Sequence, residues 1–167
     1  IDTFAHESCL TNEGYTCAVL GSGLDVVYPK ENFKMFNKIV QNGVVVSEFL
    51  PGTQPYAYNF PLRNRIISAL GDIIIVIEAG EKSGSLITAN LALEQGKDVM
   101  AVPGSIFSYE SKGTNKLIKD GAFPLTCSND VFNLLGIEMK NQKNDTVRPL
   151  DSQVNKKIYS IISDSPL

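Results

Sequence analysis

The stretch "GEKSGSLITANLALEQGKDVMAVPGS", residues 80–105, decides the fold. The apolar run Ile73–Ile77 leads into it, and it carries a helix-like segment from Leu86 to Gln95 and a second apolar run from Val99 to Val102. Strand, loop, helix and strand in that order make a β-α-β unit, whose right-handed crossover sets the two strands parallel. The loop between strand and helix, Gly80–Ser85, is filled with glycine and serine. It falls beyond the carboxyl end of a strand, the edge at which open parallel sheets hold ligands.

The same alternation extends toward the N-terminus. Cys17–Leu20 and Val44–Ser47 read as strands, with helices from about Glu31 to Asn42 and from about Arg63 to Leu70. In the first of these helices Phe33, Phe36 and Val40 fall on one face, which predicts the packed side. Lys34, Lys38 and Gln41 take the other, and Gly43 supplies a stop. Each strand is a continuous apolar run, and such runs predict cover on both faces. The fold class expected is therefore α/β, a Rossmann-like fold with a mostly parallel sheet over residues 1–135. The polar stretch Gly136–Pro149 predicts a linker, at 136–150. Val154, Ile158, Ile161 and Ile162 then define one amphipathic helix within 151–167, the first element of a further small module, since one such helix cannot bury its own face.

The 167 residues, 43% hydrophobic and 20% charged, suit one globular domain and part of another. No run approaches about 18 apolar residues, so no membrane partner is expected. The first residues lack the basic and apolar regions of a secretory signal, which predicts a cytoplasmic protein. Cys9, Cys17 and Cys127 are odd in number and at no metal-like spacing, and predict buried, reduced thiols. At a net charge of −3, a nucleic acid would have to be held by a local basic patch.

The segments after the strands are alike: Gly21-Ser22-Gly23 succeeds the first, Ser47-Glu48 the second, Gly80 through Ser85 the third, and Pro103-Gly104-Ser105 the fourth. Glycines let backbone N–H groups approach a ligand and serines add hydroxyl donors. A helix starting near Ser85 would point its positive end at the site, and the sum favours an anion such as phosphate. Turn chemistry with Ser85 as a helix cap explains any one loop; recurrence on one edge favours the anion. Arg63-Asn64-Arg65 should open the helix before the third strand and place two guanidinium groups on that edge, with Lys82 in the loop itself. Arg63 and Lys82 would then close over a phosphate or a carboxylate. Tyr28, Tyr56, Tyr58, Phe60, Phe107 and Tyr109 all lie after strand ends, where rings beside basic groups suit base stacking or pack the loops onto the core.

Catalytic signals are weak by comparison. The sequence shows no metal pair, no Ser-His-acid arrangement and no GxxxxGK[ST] loop, and no catalytic residue, metal or cofactor is expected. His6 is the lone histidine and reads as structural. Gly21-Ser22-Gly23 begins a GxGxxG pattern, but Val26 takes the third glycine's place and Pro29 comes soon after, against a dinucleotide site. Glu48 and Glu78 end two strands and could do acid–base work, although partnership with Arg63 or Arg65 is the simpler reading.

"GSGLDVVYPKEN", "SEFLPGTQP", "FPLRNRIISAL", "EAGEKSGSLITANLALEQGKDVMAVPGS" and "GTNKLIKDGA", in this order over residues 1–122, resemble the DNA-processing protein A (DprA/Smf) family. The resemblance implies an extended Rossmann fold in a bacterial cytoplasmic protein that binds and protects incoming single-stranded DNA, forms a homodimer and helps load the RecA recombinase in natural transformation, without being an enzyme. By matching motif it implies a DNA pocket of Gly21, Ser22, Gly23, Arg63, Asn64, Arg65, Lys82, Ser83, Gly84, Ser85 and Thr88, rimmed by Pro103, Gly104 and Ser105. It also implies that the 151–167 helix starts a winged-helix module. Relative to the family, the sequence begins after two β-α elements, one of them carrying a Gly-Ser/Thr-Arg loop. The rival class is a nucleotide-processing enzyme of the lysine-decarboxylase-like phosphoribohydrolase type. Its PGGxGT loop is missing, with Ser83-Gly84-Ser85-Leu86 in that place, which favours binding over hydrolysis.

Overall fold

The computed structural model describes residues 1–138, in which Ile1–Thr126 form one compact unit and a second begins at Cys127. The expected linker beyond Glu138, the helix at 151–167 with Val154, Ile158, Ile161 and Ile162, and the winged-helix module all lie outside the described residues. In chain order the elements are α1 (Asp2–Thr11), β1 (Cys17–Val19), α2 (Phe33–Asn42), β2 (Val44–Val46), α3 (Asn59–Leu70), β3 (Ile73–Val76), α4 (Gly84–Glu94), β4 (Asp98–Ala101), α5 (Lys112–Lys119), β5 (Phe123–Pro124) and α6 (Ser128–Leu134). Short 3₁₀ turns at Lys30–Asn32 and Tyr109–Ser111 lead into α2 and α5.

The α/β class with parallel pairing is as expected. Among the described residues the strands form two sheets, β1-β2 and β3-β4-β5, every pair parallel. Ile73 pairs with Asp98 and Val76 with Ala101, so β3 and β4 end level and send their subsequent loops to one edge. The core of this half is Val76, Ala79, Ala89, Ala92, Val99, Ala101 and Leu117. Alanines at 89 and 92, both wholly buried on α4, let that helix lie close on β3 and β4.

Several local expectations are corrected. The strands are not covered on both faces: β4 is buried from Val99 to Ala101, whereas β1 and β2 are at best half-buried and Ile75 of β3 is exposed. An apolar run reports burial potential, and among the described residues only β4 has strand neighbours on both of its edges. On α2 the buried residues are Met35 and Ile39, while Phe33 and Val40 are exposed. The i, i+4 pair Met35 and Ile39 faces inward rather than Phe33 and Val40. Gly43 does come directly after α2, but with extended backbone. It is glycine because a Cβ there would sit 2.3 Å from the Thr16 carbonyl oxygen. The three cysteines are free thiols, with Cys17 and Cys127 exposed rather than buried. Among the described residues no helix is long and apolar enough to cross a membrane.

Candidate nucleic-acid interface

The loops after β1 and β2 form the first group of expected site residues. Gly21, Ser22 and Gly23 are buried, and several of their polar groups bond within the fold. Ser22 Oγ donates to the Val26 carbonyl at 2.8 Å, and Ser47 Oγ donates to the Ser22 carbonyl at 2.6 Å. Gly23 N donates to the Thr53 carbonyl at 2.9 Å. A Cβ on Gly21 would press on the Phe60 ring at 3.0 Å, and one on Gly23 would lie 2.7 Å from the Leu50 carbonyl oxygen. Internal packing therefore accounts for both glycines.

The helix carrying Arg63-Asn64-Arg65 begins at Asn59, so these residues occupy its second turn rather than its opening. Pro61 sits in the first turn, where its missing N–H costs nothing. Arg63 is half-buried. Its Nη1 donates to the Val19 carbonyl, its Nε donates to Asn64 Oδ1 at 3.1 Å, and its guanidinium lies 5.5 Å from the Phe60 ring centroid. Burial lowers the Arg63 pKa from its ordinary value, against the opposing pull of Asp2. The group thus faces the end of β1 and a cavity of about 580 Å³ bounded by α1, β1, α2 and α3. Its hydrogen bonds run to β1 and to the neighbouring Asn64, and none joins it to the Ser83–Ser85 loop. Arg65 pairs with Glu48, so the simpler reading of that carboxylate holds.

The second group gathers at the ends of β3 and β4. Gly80 is buried, and a Cβ on it would lie 2.8 Å from the Tyr109 ring. Helix α4 starts at Gly84, two residues before the expected Leu86, and its N-cap is Ser83 rather than Ser85. Ser83 Oγ accepts a long 3.4 Å bond from Ser85 N and lies 2.8 Å from Ser85 Oγ. Lys82 is exposed and makes no ion pair with the described residues. Thr88 is half-buried, one turn into α4. Gly84 differs from every other glycine named so far: its φ is not in the left-handed region, and a Cβ on it would meet nothing within 4 Å.

Opposite stand exposed Pro103, Gly104 and Ser105. Asn115 of α5 fixes this turn, accepting from Gly104 N at 3.1 Å and donating from Nδ2 to the Gly104 carbonyl at 2.9 Å. The Ala79 backbone ties the two loops, its N–H donating to the Glu110 carbonyl at 2.9 Å and its carbonyl accepting from Gly113 N at 2.7 Å. Lys82, Ser83, Gly84, Ser85, Pro103, Gly104 and Ser105 therefore share one strand-end region. Gly21, Ser22, Gly23, Arg63 and Asn64 share another, over the β1-β2 sheet.

Residues without an obvious signal in the sequence hold these loops. Asn59, 2% exposed, donates from Nδ2 to the carbonyls of Gly21 at 2.9 Å and Gln54 at 3.2 Å. Asn115, Ser111 and Gly113 shape the second group, and "GTNKLIKDGA" contains two of them; the polar Asn inside that helical stretch was the available signal. Among the described residues no cluster of His, Cys, Asp and Glu could hold a metal ion.

Comparison with known proteins adds an independent line. Residues 1–136 match the family model described as DNA recombination-mediator protein A. The chain is 50% identical over 132 residues to DNA processing protein DprA of Streptococcus pneumoniae, covering 79% of this chain and 47% of that protein. It is 42% identical over 132 residues to DprA of Bacillus subtilis, covering 79% and 44%. The chain therefore spans about half the length of these curated relatives. Among solved structures, an X-ray structure of S. pneumoniae DprA superposes with a TM-score of 0.75 at 48% identity, covering 83% of this chain and 48% of that one. A structure described as giving insight into the single-stranded DNA binding mode of DprA from Helicobacter pylori superposes with a TM-score of 0.67 at 35% identity, covering 72% and 55%.

Proposed function

The chain belongs to the DNA recombination-mediator protein A family, and from that premise we propose that it binds single-stranded DNA on the strand-end edges of its parallel sheets and acts as a recombination mediator, not as an enzyme. The observation that carries the DNA-binding reading is Gly84. Glycine at the exposed first position of a helix is a poorer helix former than alanine, and no neighbour in the fold requires it. The open space beside its Cα leaves room for the close approach of a phosphate oxygen, at a helix end whose dipole favours negative charge and beside exposed Lys82. On this reading Ser83, Gly84 and Ser85 take a backbone phosphate. Lys82 neutralises it, and Pro103, Gly104 and Ser105 form the facing rim. Thr88 extends that site one turn into α4, and Gly21, Ser22, Gly23, Arg63, Asn64 and Arg65 contribute a second wall. Arg63 is now held by the Val19 carbonyl and Arg65 by Glu48, so a strand lying there would have to displace the Arg63 contact with β1.

Phosphate contacts position without reading sequence, so binding is sequence-tolerant. No helix among the described residues is arranged as a major-groove reader, which sets single strands above duplex. Protection of incoming single strands, loading of the RecA recombinase in natural transformation, a homodimer and a cytoplasmic location complete the proposal. The H. pylori relative, whose structure concerns single-stranded DNA binding, supports the substrate class. A polarisation titration of the full chain with oligothymidine and with a matched duplex, at one stated ionic strength, tests it. Tighter binding to the single strand, falling with salt, is the expected result; equal binding to both overturns it. Release of free base from nucleoside monophosphates would overturn the non-enzymatic reading.

A further inference from the structure

Phe107 is 92% exposed, the most exposed large apolar side chain among the described residues, and its neighbour Ile106 is 77% exposed. Loose loops often carry such residues, but this one is built. Ser108 N donates to the Ser105 carbonyl at 3.0 Å and Phe107 N to Ser105 Oγ at 3.3 Å, a tight turn that puts Phe107 at its tip. The start of the turn is clamped by Asn115 through both polar groups of Gly104. Its far end is tied to the β3-α4 loop by the bond from Ala79 N to the Glu110 carbonyl and by Tyr109, whose ring covers Gly80. Lys112 Nζ lies 5.6 Å from the Tyr109 ring centroid and 3.8 Å from Glu81 Oε1, so a cation stands at the base of the turn.

An aromatic ring kept in water on a fixed turn loses the burial that ordinarily stabilises it, and it stands on the same strand-end region as the Ser83–Ser85 loop. We propose that Phe107 is a base-stacking contact, taking a nucleobase of a single strand whose backbone phosphate lies at the start of α4, with Ile106 covering the flank of the same base. This rests on the single-stranded DNA reading above. The pinned turn fits such a ligand because every base has a π-face, so a rigid ring serves any sequence, and neighbouring Lys82 and Lys112 suit a polyanion.

The test separates this inference from that reading. The sequence has no tryptophan, so Phe107→Trp introduces a single indole. Titrating that full-chain variant with oligothymidine should quench its emission in parallel with the polarisation signal. Phe107→Ala should weaken oligothymidine binding by about 5- to 150-fold, the range measured for base–aromatic stacking. It should also bind oligothymidine and an abasic oligonucleotide of equal length alike, whereas the parent prefers oligothymidine. If the parent binds no single strand, the functional reading itself fails. If the parent binds and Phe107→Ala keeps both its affinity and its preference for bases, the stacking role is overturned. A change in sedimenting mass with unchanged DNA affinity overturns it equally, by assigning the ring to contact between copies.

Discussion

The buried amide of Asn59 hangs the loop after β1 from the first turn of α3, donating to the Gly21 carbonyl at 2.9 Å while also reaching Gln54. In Asn59→Ala the Gly21 carbonyl would lose its donor, while the Gln54 carbonyl would keep the one from Tyr56 N at 2.8 Å. That substitution is expected to lower unfolding stability by about 1–3 kcal/mol, read as a shift in urea midpoint at unchanged slope. Asn59→Asp should be worse, because a carboxylate would face two carbonyl oxygens. Wild-type stability in both variants would show that the loop is held elsewhere.

His6 gives the fold a pH dependence. Its Nδ1 lies 2.6 Å from Thr16 Oγ1, and burial holds its pKa below 6.5, outweighing the attraction of Asp2. Because the folded state disfavours the imidazolium, the unfolded chain binds more protons between the two pKa values, and stability rises with pH there. The His6 contribution is present above about pH 6.5 and is lost as pH falls through the folded value. A melting temperature measured from pH 7.5 down to 5 should fall more steeply for the parent than for His6→Gln. Parallel curves would contradict the assignment.

Arg63 and Lys82 should separate by what they disturb. Arg63 contacts β1 and Phe60, so Arg63→Ala should cost about 1 kcal/mol or more of stability. Lys82 is exposed, and Lys82→Ala should leave stability within about 0.5 kcal/mol. In DNA titrations Lys82→Ala should reduce the slope of log affinity against log salt by about one. An unchanged slope would remove Lys82 from the interface.

The β-α-β core was legible because Ile73–Ile77, the glycine–serine loop and the second apolar run each carry a local signal, and the structure places β3, α4 and β4 within a residue or two of their expected limits. The α3 start was less so: the pattern pointed to Arg63, whereas Asn59 and Pro61 begin the helix, and Asn59 is held there by contact with Gly21, 38 residues away in sequence. The short β5 was missed, since Phe123-Pro124 has no periodicity and is a strand only through pairing with Met100 and Ala101. The direction of Arg63 was equally hidden. Its position on α3 could be read, but its partner, the Val19 carbonyl, is fixed only once helix and strand are packed. The split into two sheets is a matter of strand pairing, which no strand announces in its own sequence.

Gly84 carries the phosphate reading, and it can be altered without touching the fold. A Cβ there meets nothing within 4 Å, so Gly84→Ala should keep or raise stability, by up to about 1 kcal/mol, and Gly84→Val should fold normally. The most direct measurement is the affinity of Gly84→Val for oligothymidine at fixed ionic strength, with its unfolding curve taken alongside. A parent-like unfolding curve with affinity reduced about tenfold or more, the loss of one charge-assisted hydrogen bond, is the predicted result. Parent-like unfolding together with parent-like affinity would contradict it, and would mean that no phosphate rests at the start of α4.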